Sequence, residues 1–233
     1  DELHLEHPFA GARMLRDFLD AEGVKVGRRH VGTLMRRMGI EALAPQPGTS
    51  KRAPGHKIYP YLLRKLAIER SNQVWALDTT YIPMARGFVY LTAVIDVASR
   101  RVLAHKVAIT LEACHAREVI EQAFVRYGTP EIVNTDQGSQ FTSTEFTNVV
   151  LAKGCRLSMD GRGAWRDNVF VERLWRSIKY EEVYLHGYDS VTTAKAGIAR
   201  YLAFYNSRRP HQSLDGQTPD TLYFNQAPLA AAA

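Results

Sequence analysis

Three acidic residues stand where a folded chain would have to compensate their charge. Asp78 lies inside the apolar segment Val74–Ile82, Asp136 ends the segment Glu131–Asp136, and Glu172 lies in a segment with helical periodicity, with 35 residues between Asp136 and Glu172. An ionised Asp in a strand that is apolar on both faces costs several kcal/mol unless a cation or hydrogen bonds compensate it. Carboxylate oxygens are ligands that Mg²⁺ and Mn²⁺ prefer, so three convergent carboxylates predict a site for two divalent ions.

The segment that carries Glu172 is predicted to be an amphipathic helix, at 100° per residue. The apolar side opposite Glu172 consists of Phe170, Leu174 and Ile178. The polar residues within about 40° of Glu172 are Asn168, Arg176 and Lys179. An alternative remains open at this point, because Glu172 and Arg176 at i,i+4 could form an ordinary surface ion pair worth a few tenths of a kcal/mol.

Other acids compete for the third position of the predicted site. Asp167 is placed to cap the helix that begins at Asn168. Glu181 would lie about 180° from Glu172 if the helix is continuous. Glu182 remains a candidate for the third position. Asp96 follows a strand, where a role in a turn is favoured over metal binding.

The bulk composition is that of a soluble globular protein. The 233 residues are 45% apolar and 23% charged. No apolar run approaches the roughly eighteen residues of a membrane span, and no signal-peptide pattern is visible at the N-terminus. We therefore expect a cytoplasmic protein with buried, reduced thiols at Cys114 and Cys155; the resemblance described below implies a bacterial, nucleoid-associated one. The pair His4 and His7 lacks the cysteine pair that would complete a zinc site.

Positive charge is concentrated in one stretch of the chain. The net charge is +6 and the pI about 9.4. Between Gly23 and Lys65, ten basic residues stand against the single acid Glu41, which suits a phosphate backbone, although a merely solvated surface is the alternative. The ten residues are Lys25, Arg28, Arg29, Arg36, Arg37, Lys51, Arg52, Lys57, Arg64 and Lys65.

The N-terminal part is predicted to contain two short helices, at Gly11–Ala21 and at Arg28–Met38, with Gly39 ending the second. The pair is similar to a helix-turn-helix, in which Arg28 and Arg29 would meet DNA at the start of the second helix, with Arg36 and Arg37 further along. Pro45–Pro60 is predicted to be a linker. We expect a DNA-binding segment at 1–43, a basic linker at 44–70, a catalytic core at 71–225 and a disordered tail at 226–233.

From Asn72 onward the pattern predicts strands and then alternating helices and strands. Three strands at hairpin spacing are followed by a helix, the strand ending in Asp136, a further helix, a short strand and two long helices. This order predicts an α/β fold, with a mixed five-stranded sheet flanked by helices. The predicted ranges are strands at 74–83, 88–95, 102–109 and 155–159, helices at 111–127 and 144–153, and helices that begin near Asp167 and Thr192.

Several ordered motifs resemble the catalytic core of insertion-sequence transposases. They are Trp75–Ile82, Val94–Arg100, Thr135–Ser143, Ser158–Gly163, Asp167–Glu172 and Tyr205–His211. The N-terminal Pro8–Arg13 and Leu34–Gly39 resemble the helix-turn-helix that precedes that core. The chain is similar to insertion-sequence family three, and this resemblance spans nearly its whole length.

The resemblance implies a ribonuclease-H-like, retroviral-integrase-like core in which Asp78, Asp136 and Glu172 form the catalytic and metal-binding triad. Lys179 matches the family's basic residue that contacts DNA near the cleaved end. Two departures are visible: the family more often has Ser where Thr135 stands, and Met-Ser where this chain has Met159-Asp160.

We therefore expect a Mg²⁺- or Mn²⁺-dependent transposase with two ions per site, Asp78 bridging both. Its partners would be the terminal inverted repeats, target DNA, further copies of itself and an upstream-frame product. Arg176 and Lys179 would hold phosphate, and Asn168 would contact DNA beside them. The cluster containing Arg208 and Arg209 would either hold phosphate or end a helix. A nuclease without strand transfer and a non-catalytic DNA-binding fragment that regulates transposition are the alternatives.

Overall fold

The computed structural model describes residues 2–7, 10–42, 57–161 and 168–226. The chain divides into two compact units, with the division between Thr49 and Ser50. Lys51, Arg52 and most of the predicted Pro-rich linker lie outside the described residues, as does the Ala-rich C-terminal tail. Within the described part of the chain, no helix is long and apolar enough to cross a membrane.

The first unit is a cluster of three helices: α1 (Glu2–Glu6), α2 (Ala12–Ala21) and α3 (Arg28–Met38). The two helices predicted from the sequence are confirmed, and Gly39 ends α3 in the left-handed conformation with φ 68°. Leu34 and Met38 of α3 are exposed although both are apolar. The buried residues of the unit are Ala10, Leu15, Val31 and Met35.

The second unit is built on the predicted mixed five-stranded sheet, which is confirmed. Its spatial order is β3-β2-β1-β4-β5. Strand β1 pairs antiparallel with β2, as β2 does with β3, whereas β1 and β4 are parallel, as are β4 and β5. The strands are β1 (Val74–Pro83), β2 (Phe88–Asp96), β3 (Val102–Ala108), β4 (Ile132–Thr135) and β5 (Arg156–Met159).

Helices cover both faces of this sheet, which explains why β1 is apolar at successive positions. Val74 and Ala76 belong to one buried cluster, which includes residues of α7 and α9. Trp75 and Leu77 point the other way, into a cluster with α4 and α6. The helices of this unit are α4 (Ala113–Tyr127), α5 (Ser139–Thr142), α6 (Thr144–Ala152), α7 (Val169–Ile178), α8 (Tyr184–His186), α9 (Val191–Ser207) and α10 (Pro219–Gln226).

Residues 57–70, which fall within the stretch predicted as linker, pack against the sheet. Leu62, Leu63, Leu66 and Ile68 lie against the cluster of β1, α7 and α9. The backbone N–H of Leu62 donates to Ser158 Oγ at 3.0 Å. This segment therefore contributes to the packing of the second unit.

The helical backbone changes form directly after α7. Lys179–Val183 is a π-helical turn, which leads into α8. A π-helical turn displaces every later residue from its α-helical position. The sequence-based angle of Glu181 relative to Glu172 assumed a continuous α-helix, and this assumption is wrong beyond Ile178.

The two cysteines differ in their environments. Cys155 is buried, as expected, but the prediction for Cys114 is wrong, because its side chain is only partly buried. Cys114 is the second residue of α4, where the first turn of the helix reaches the surface of the unit. Both thiols are free.

Helix α9 approaches its neighbours most closely at Gly197. A Cβ built there would lie 2.7 Å from the Tyr188 ring and 2.8 Å from Glu182 Oε1. We predict that Gly197→Ala lowers the unfolding free energy by about 2 kcal/mol, although alanine favours a helix by about 1 kcal/mol.

Gly32→Ala in α3 is the matched control, because a Cβ there meets only Ala12 Cβ at 3.7 Å. Denaturant unfolding of both variants should show a loss at Gly197 and no loss at Gly32. Equal stability of the Gly197 variant and the unaltered protein would contradict the close packing.

Candidate active site

The first two carboxylates follow from the parallel pairing of β1 with β4. Leu77 is in register with Thr135, so the next residues along the two strands are Asp78 and Asp136. Neighbouring strands lie about 4.8 Å apart. Asp78 also continues the alternation of β1, which places its side chain on the face that carries Val74, Ala76 and helix α7. The parallel pairing of β1 with β4 therefore brings two aspartates from distant parts of the sequence close together, at the end of β4.

Two hydrogen bonds attach α7 to β1 at the same place. Trp175 Nε1 donates to Asp78 Oδ2 at 2.8 Å, and Lys179 Nζ donates to Thr80 Oγ1 at 2.9 Å. Trp175 and Lys179 are four residues apart, a rise of about 6 Å in an α-helix. Asp78 and Thr80 are two residues apart, or about 6.7 Å along a strand. The spacing of the two donors therefore matches the spacing of the two acceptors. Glu172 lies on the same face of α7, nearly one turn before Trp175, and this face is directed to the edge with the aspartates.

A tight turn holds the Asp136 side chain after β4 ends. The N–H of Gly138 donates to Asp136 Oδ1 at 2.9 Å. A Cβ at Gly138 would lie 2.9 Å from that oxygen and 2.7 Å from Gln140 Nε2. Only glycine therefore lets the backbone approach the carboxylate this closely.

A buried polar network supports the ends of β4 and β5. Asn134 Nδ2 donates to Asp160 Oδ1 at 2.8 Å, and Ser158 Oγ donates to Asn134 Oδ1 at 2.7 Å. Gln137 Nε2 donates to the Asp160 carbonyl at 2.7 Å. Asp160, one of the departures from the family pattern, thus holds the strand that ends at Asp136.

The electrostatics of the site show an excess of negative charge. Burial raises the pKa of Asp78 to about 7; the Asp136 charge and, less strongly, Glu172 add to the rise, although hydrogen bonds from Trp175 and Thr79 lower it. Burial also raises the pKa of Asp136. Burial lowers the pKa of Lys179, against the charges of Glu172 and Asp78. A divalent cation would offset this excess, so the donor set fits such an ion.

The oxygen atoms of the three carboxylates do not all lie within 4.8 Å of one another. Among the described residues, only Cys114, His115 and Glu118 form a group whose metal-ligand atoms all lie within 4.8 Å of one another. Glu172 is exposed, whereas Asp78 and Asp136 are partly buried. Glu172 is therefore the most exposed of the three carboxylates.

The other acids considered for the third position have different partners. Asp96 is fully buried and accepts hydrogen bonds from Ser99 and from the N–H of Asn72, as expected for a turn. Glu181 accepts from Tyr201 and Arg209. Glu182 accepts from Tyr188 at 2.7 Å. Asp167 lies outside the described residues.

The predicted DNA contacts fall into distinct environments. Asn168 is only 7% exposed and its Oδ1 has no hydrogen-bond partner. Arg209 is held by Glu181, with N–O distances of 2.7 and 2.6 Å, and its predicted role in binding phosphate stays a prediction. The exposed basic residues are Arg28, Arg29, Arg36 and Arg37 on α3, Arg176 on α7, and Arg208 after α9.

The ordinary i,i+4 ion pair is not formed on α7. No salt bridge between Glu172 and Arg176 occurs within the described parts of the chain. The Arg176 guanidinium instead lies over the Tyr180 ring, 5.9 Å from its centre. Glu172 and Arg176 are therefore each available to another partner.

Sequence reasoning missed several residues around the site. Trp175 and Thr80 hold α7 against β1, yet a helical wheel indicates only that Trp175 is near the polar face. Arg100 and Arg173 line a cavity with Arg176. Arg100 belongs to the motif Val94–Arg100, and Arg173 directly follows Glu172 in the sequence. The other residues that line the cavity come from different elements, so the sequence does not indicate that these residues lie together.

Two family comparisons cover most of the chain. The family described as integrase core domain matches residues 68–164, and a second family of that description matches residues 153–219. The family described as HTH-like domain matches residues 1–48. The matches thus include all the strands, α7 and the first unit.

Curated relatives are insertion-sequence transposases. The transposase InsF for insertion sequence IS3A of Escherichia coli is 31% identical over 216 residues, covering 90% of this chain and 75% of the relative. The transposase for insertion sequence element IS904 of Lactococcus lactis is 29% identical over 215 residues, covering 90% and 85%.

Solved structures with this fold are retroviral integrases. The catalytic core domain of BIV integrase matches with a TM-score of 0.54 at 21% identity, covering 66% of this chain and 95% of that one. The simian T-cell lymphotropic virus intasome matches with a TM-score of 0.59 at 16% identity, covering 99% and 76%. The HTLV-2 integrase core, solved in complex with magnesium, matches at 0.50 with 20% identity, covering 65% and 96%.

The raised pKa of Asp78 predicts how stability depends on pH without metal. Its ordinary value is 3.8 and its folded value about 7. Below pH 4 the carboxyl is protonated in both states; as the pH rises to 7 the unfolded state loses the proton first. The unfolding free energy should therefore fall across this window, by up to about 4 kcal/mol. Denaturant unfolding in chelator from pH 4 to 8 measures this.

Two tryptophan variants provide the control. Trp175→Phe removes the donor to Asp78 and should steepen the fall, whereas Trp75→Phe removes a comparable bond to Asn72 Oδ1, at 2.9 Å, and should leave the slope unchanged. Asp78→Asn should remove most of the slope, leaving the part due to Asp136. An unchanged slope in Asp78→Asn would contradict the assignment.

Proposed function

This chain belongs to the IS3 family of insertion-sequence transposases, and we propose that it cuts DNA at the ends of its mobile element and joins the exposed 3′-hydroxyl to another strand. The observation that carries the proposal is the junction of β1, β4 and α7. There, Asp78 and Asp136 follow paired strand positions and Trp175 binds Asp78 from the helix that bears Glu172.

The proposed metal ligands are Asp78, Asp136 and Glu172. The raised pKa of Asp78 supports them, because it reflects buried negative charge that a cation would offset. The HTLV-2 integrase core with magnesium supports Mg²⁺, with Mn²⁺ as the other ion of this class. Two bound divalent ions would stabilise the attacking and the leaving oxygen of the transferred phosphate.

The chain's own residues would position the substrate. Because Trp175 and Lys179 fix α7 against β1, Glu172 needs only to change its side-chain rotamer to approach the aspartates. The Lys179 ammonium group lies where the Glu172 and Asp78 charges act on it. It would hold a phosphate oxygen of the cleaved strand beside the carboxylates.

The remaining positive charge is assigned to DNA binding away from the reaction. Arg28 and Arg29, at the start of α3, would contact the terminal repeats, and Arg36 and Arg37 would contact the same DNA further along. Lys51, Arg52 and Arg208 would contribute phosphate contacts. The relative named as an intasome supports the self-association we propose for the active complex. An upstream-frame product would supply further DNA binding.

One observation favours a second candidate function, a DNA-binding form that occupies the ends without cutting them. The carboxylate oxygens are not gathered within 4.8 Å among the described residues. Such a form would bind DNA in a gel-shift assay but produce no cut strand with Mg²⁺ or Mn²⁺. A protein that cuts but does not join a precut end would instead be a nuclease.

Asp78→Asn tests the catalytic assignment. Removing one carboxylate should lower the rate of strand cutting and joining by at least about a thousandfold, or ~4 kcal/mol of transition-state stabilisation. DNA affinity should stay within about twofold, because the Asp78 carboxylate does not contact the backbone phosphates in this proposal. Cleavage of end DNA and joining of a precut end, both with Mg²⁺, measure the two steps.

Asp215→Asn is the matched control. Asp215 is exposed and has φ 51°, a conformation that asparagine also tolerates, so this variant should cut and join normally. If the Asp78 variant cuts at the unaltered rate, the proposed mechanism fails.

A further inference from the structure

A cavity of about 460 Å³ lies beside α7, and none of the three carboxylates lines it. Its wall combines three separate parts of the second unit: the turn between β2 and β3, helix α7, and the segment that follows α9. The basic residues in this wall are Arg100, Arg173, Arg176, Arg209 and His211. We call it the arginine cavity.

The arginine cavity contains four guanidinium groups and no carboxylate among its lining residues. Arg209 alone has an ionic partner among the described residues, Glu181, whose 2.6 Å contact fixes it in the wall. Arg100 lies flat on Phe170, 3.5 Å from the ring centre. Burial and the Arg173 charge lower the pKa of Arg100 to about 10. The Asp96 charge acts on Arg100 from outside the lining, whereas Arg173 and Arg176 have no ion-pair partner among the described residues.

A buried histidine adds a second, independent observation. His211 is only 8% exposed, and its Nε2 has no hydrogen-bond partner. Its ring packs edge-on against Tyr205, with 4.6 Å between ring centres. Leaving a buried polar atom unpaired destabilises the folded protein. A ligand oxygen in the cavity would accept a hydrogen bond from this nitrogen in its N–H form and so remove the penalty.

We infer that the arginine cavity binds a phosphodiester group of the DNA backbone, an inference that rests on the proposed function. Guanidinium groups bind phosphate oxygens in pairs, and several of them around one cavity suit a tetrahedral oxyanion. Arg176 lies within about 40° of Glu172 on α7 and also lines the cavity. A strand held there would pass directly beside the catalytic face of α7.

Arg173 and Arg176 are the residues to test, because both are exposed and neither has an ion-pair partner within the described residues. The protein is the full chain in chelator, and the probe is a DNA duplex of random sequence. Each phosphate contact contributes about −0.9 to the slope of log affinity against log salt. The double variant Arg173→Gln with Arg176→Gln should reduce the slope by about 1 to 2 and weaken binding about tenfold.

Two further variants separate charge loss from structural damage. Arg126→Gln on α4 removes an equally exposed positive charge that has no ion-pair partner among the described residues, and it should leave the slope unchanged. Arg173→Lys with Arg176→Lys should restore the slope, since counterion release depends on charge. An unchanged slope in the double glutamine variant, or no recovery with lysine, overturns the inference.

Inorganic phosphate distinguishes a DNA site from a site for a free anion. Competition by phosphate that depends on Arg173 and Arg176, together with the altered salt slope, supports a backbone contact. Phosphate binding that depends on these arginines with no change in the DNA slope overturns it. Because every measurement is made without divalent metal, failure of the cleavage mechanism would leave this test intact, and the converse also holds.

Discussion

The burial of the Asp78 carboxylate is the constraint on which the rest of the second unit depends. Its two oxygens accept hydrogen bonds from Thr79 N and Trp175 Nε1, at 2.7 and 2.8 Å. These bonds do not offset burial and the neighbouring Asp136 charge, because the pKa still rises to about 7. The same bond from Trp175 holds α7 in place. The hydrogen bond between Trp175 and Asp78 therefore holds the helix that carries Glu172 beside the two aspartates. A cation bound there would offset their negative charge.

The sheet and the positions of two acids could be predicted from the sequence because both depend on local pattern. Strand β1 is apolar at successive positions and begins and ends where predicted, since helices cover both of its faces. Asp136 lies directly after β4, where a polar residue ends a short apolar run. The polar face of α7 was also predictable, because Val169–Ile178 is a regular α-helix. The proposal that Asp78, Asp136 and Glu172 act together came from the resemblance of several motifs to the family.

Features that depend on distant partners were not predictable. A wheel drawn at 100° per residue fails at the π-helical turn after Ile178, so it misplaced Glu181. The bond from Arg209 to Glu181 joins residues 28 positions apart, and the one from Trp175 to Asp78 spans 97. Asp160 is a departure from the family pattern, and its partner Asn134 lies 26 positions away. In each case the partner, and not the residue type, determines the role.

Helix α7 separates charges that would otherwise pair with each other. Glu172 and Arg176 are one turn apart, a spacing at which opposite charges normally attract. In the structure Trp175 directs the Glu172 face toward β1, while Arg176 lies over Tyr180 and lines the arginine cavity. If Glu172 and Arg176 formed an ion pair, their charges would neutralise each other, and neither side chain would be available to bind a cation or a phosphate group. Keeping them unpaired leaves a negative and a positive side chain about 40° apart around the helix. A DNA strand bound at the positive side chain would then be placed for reaction at the negative one.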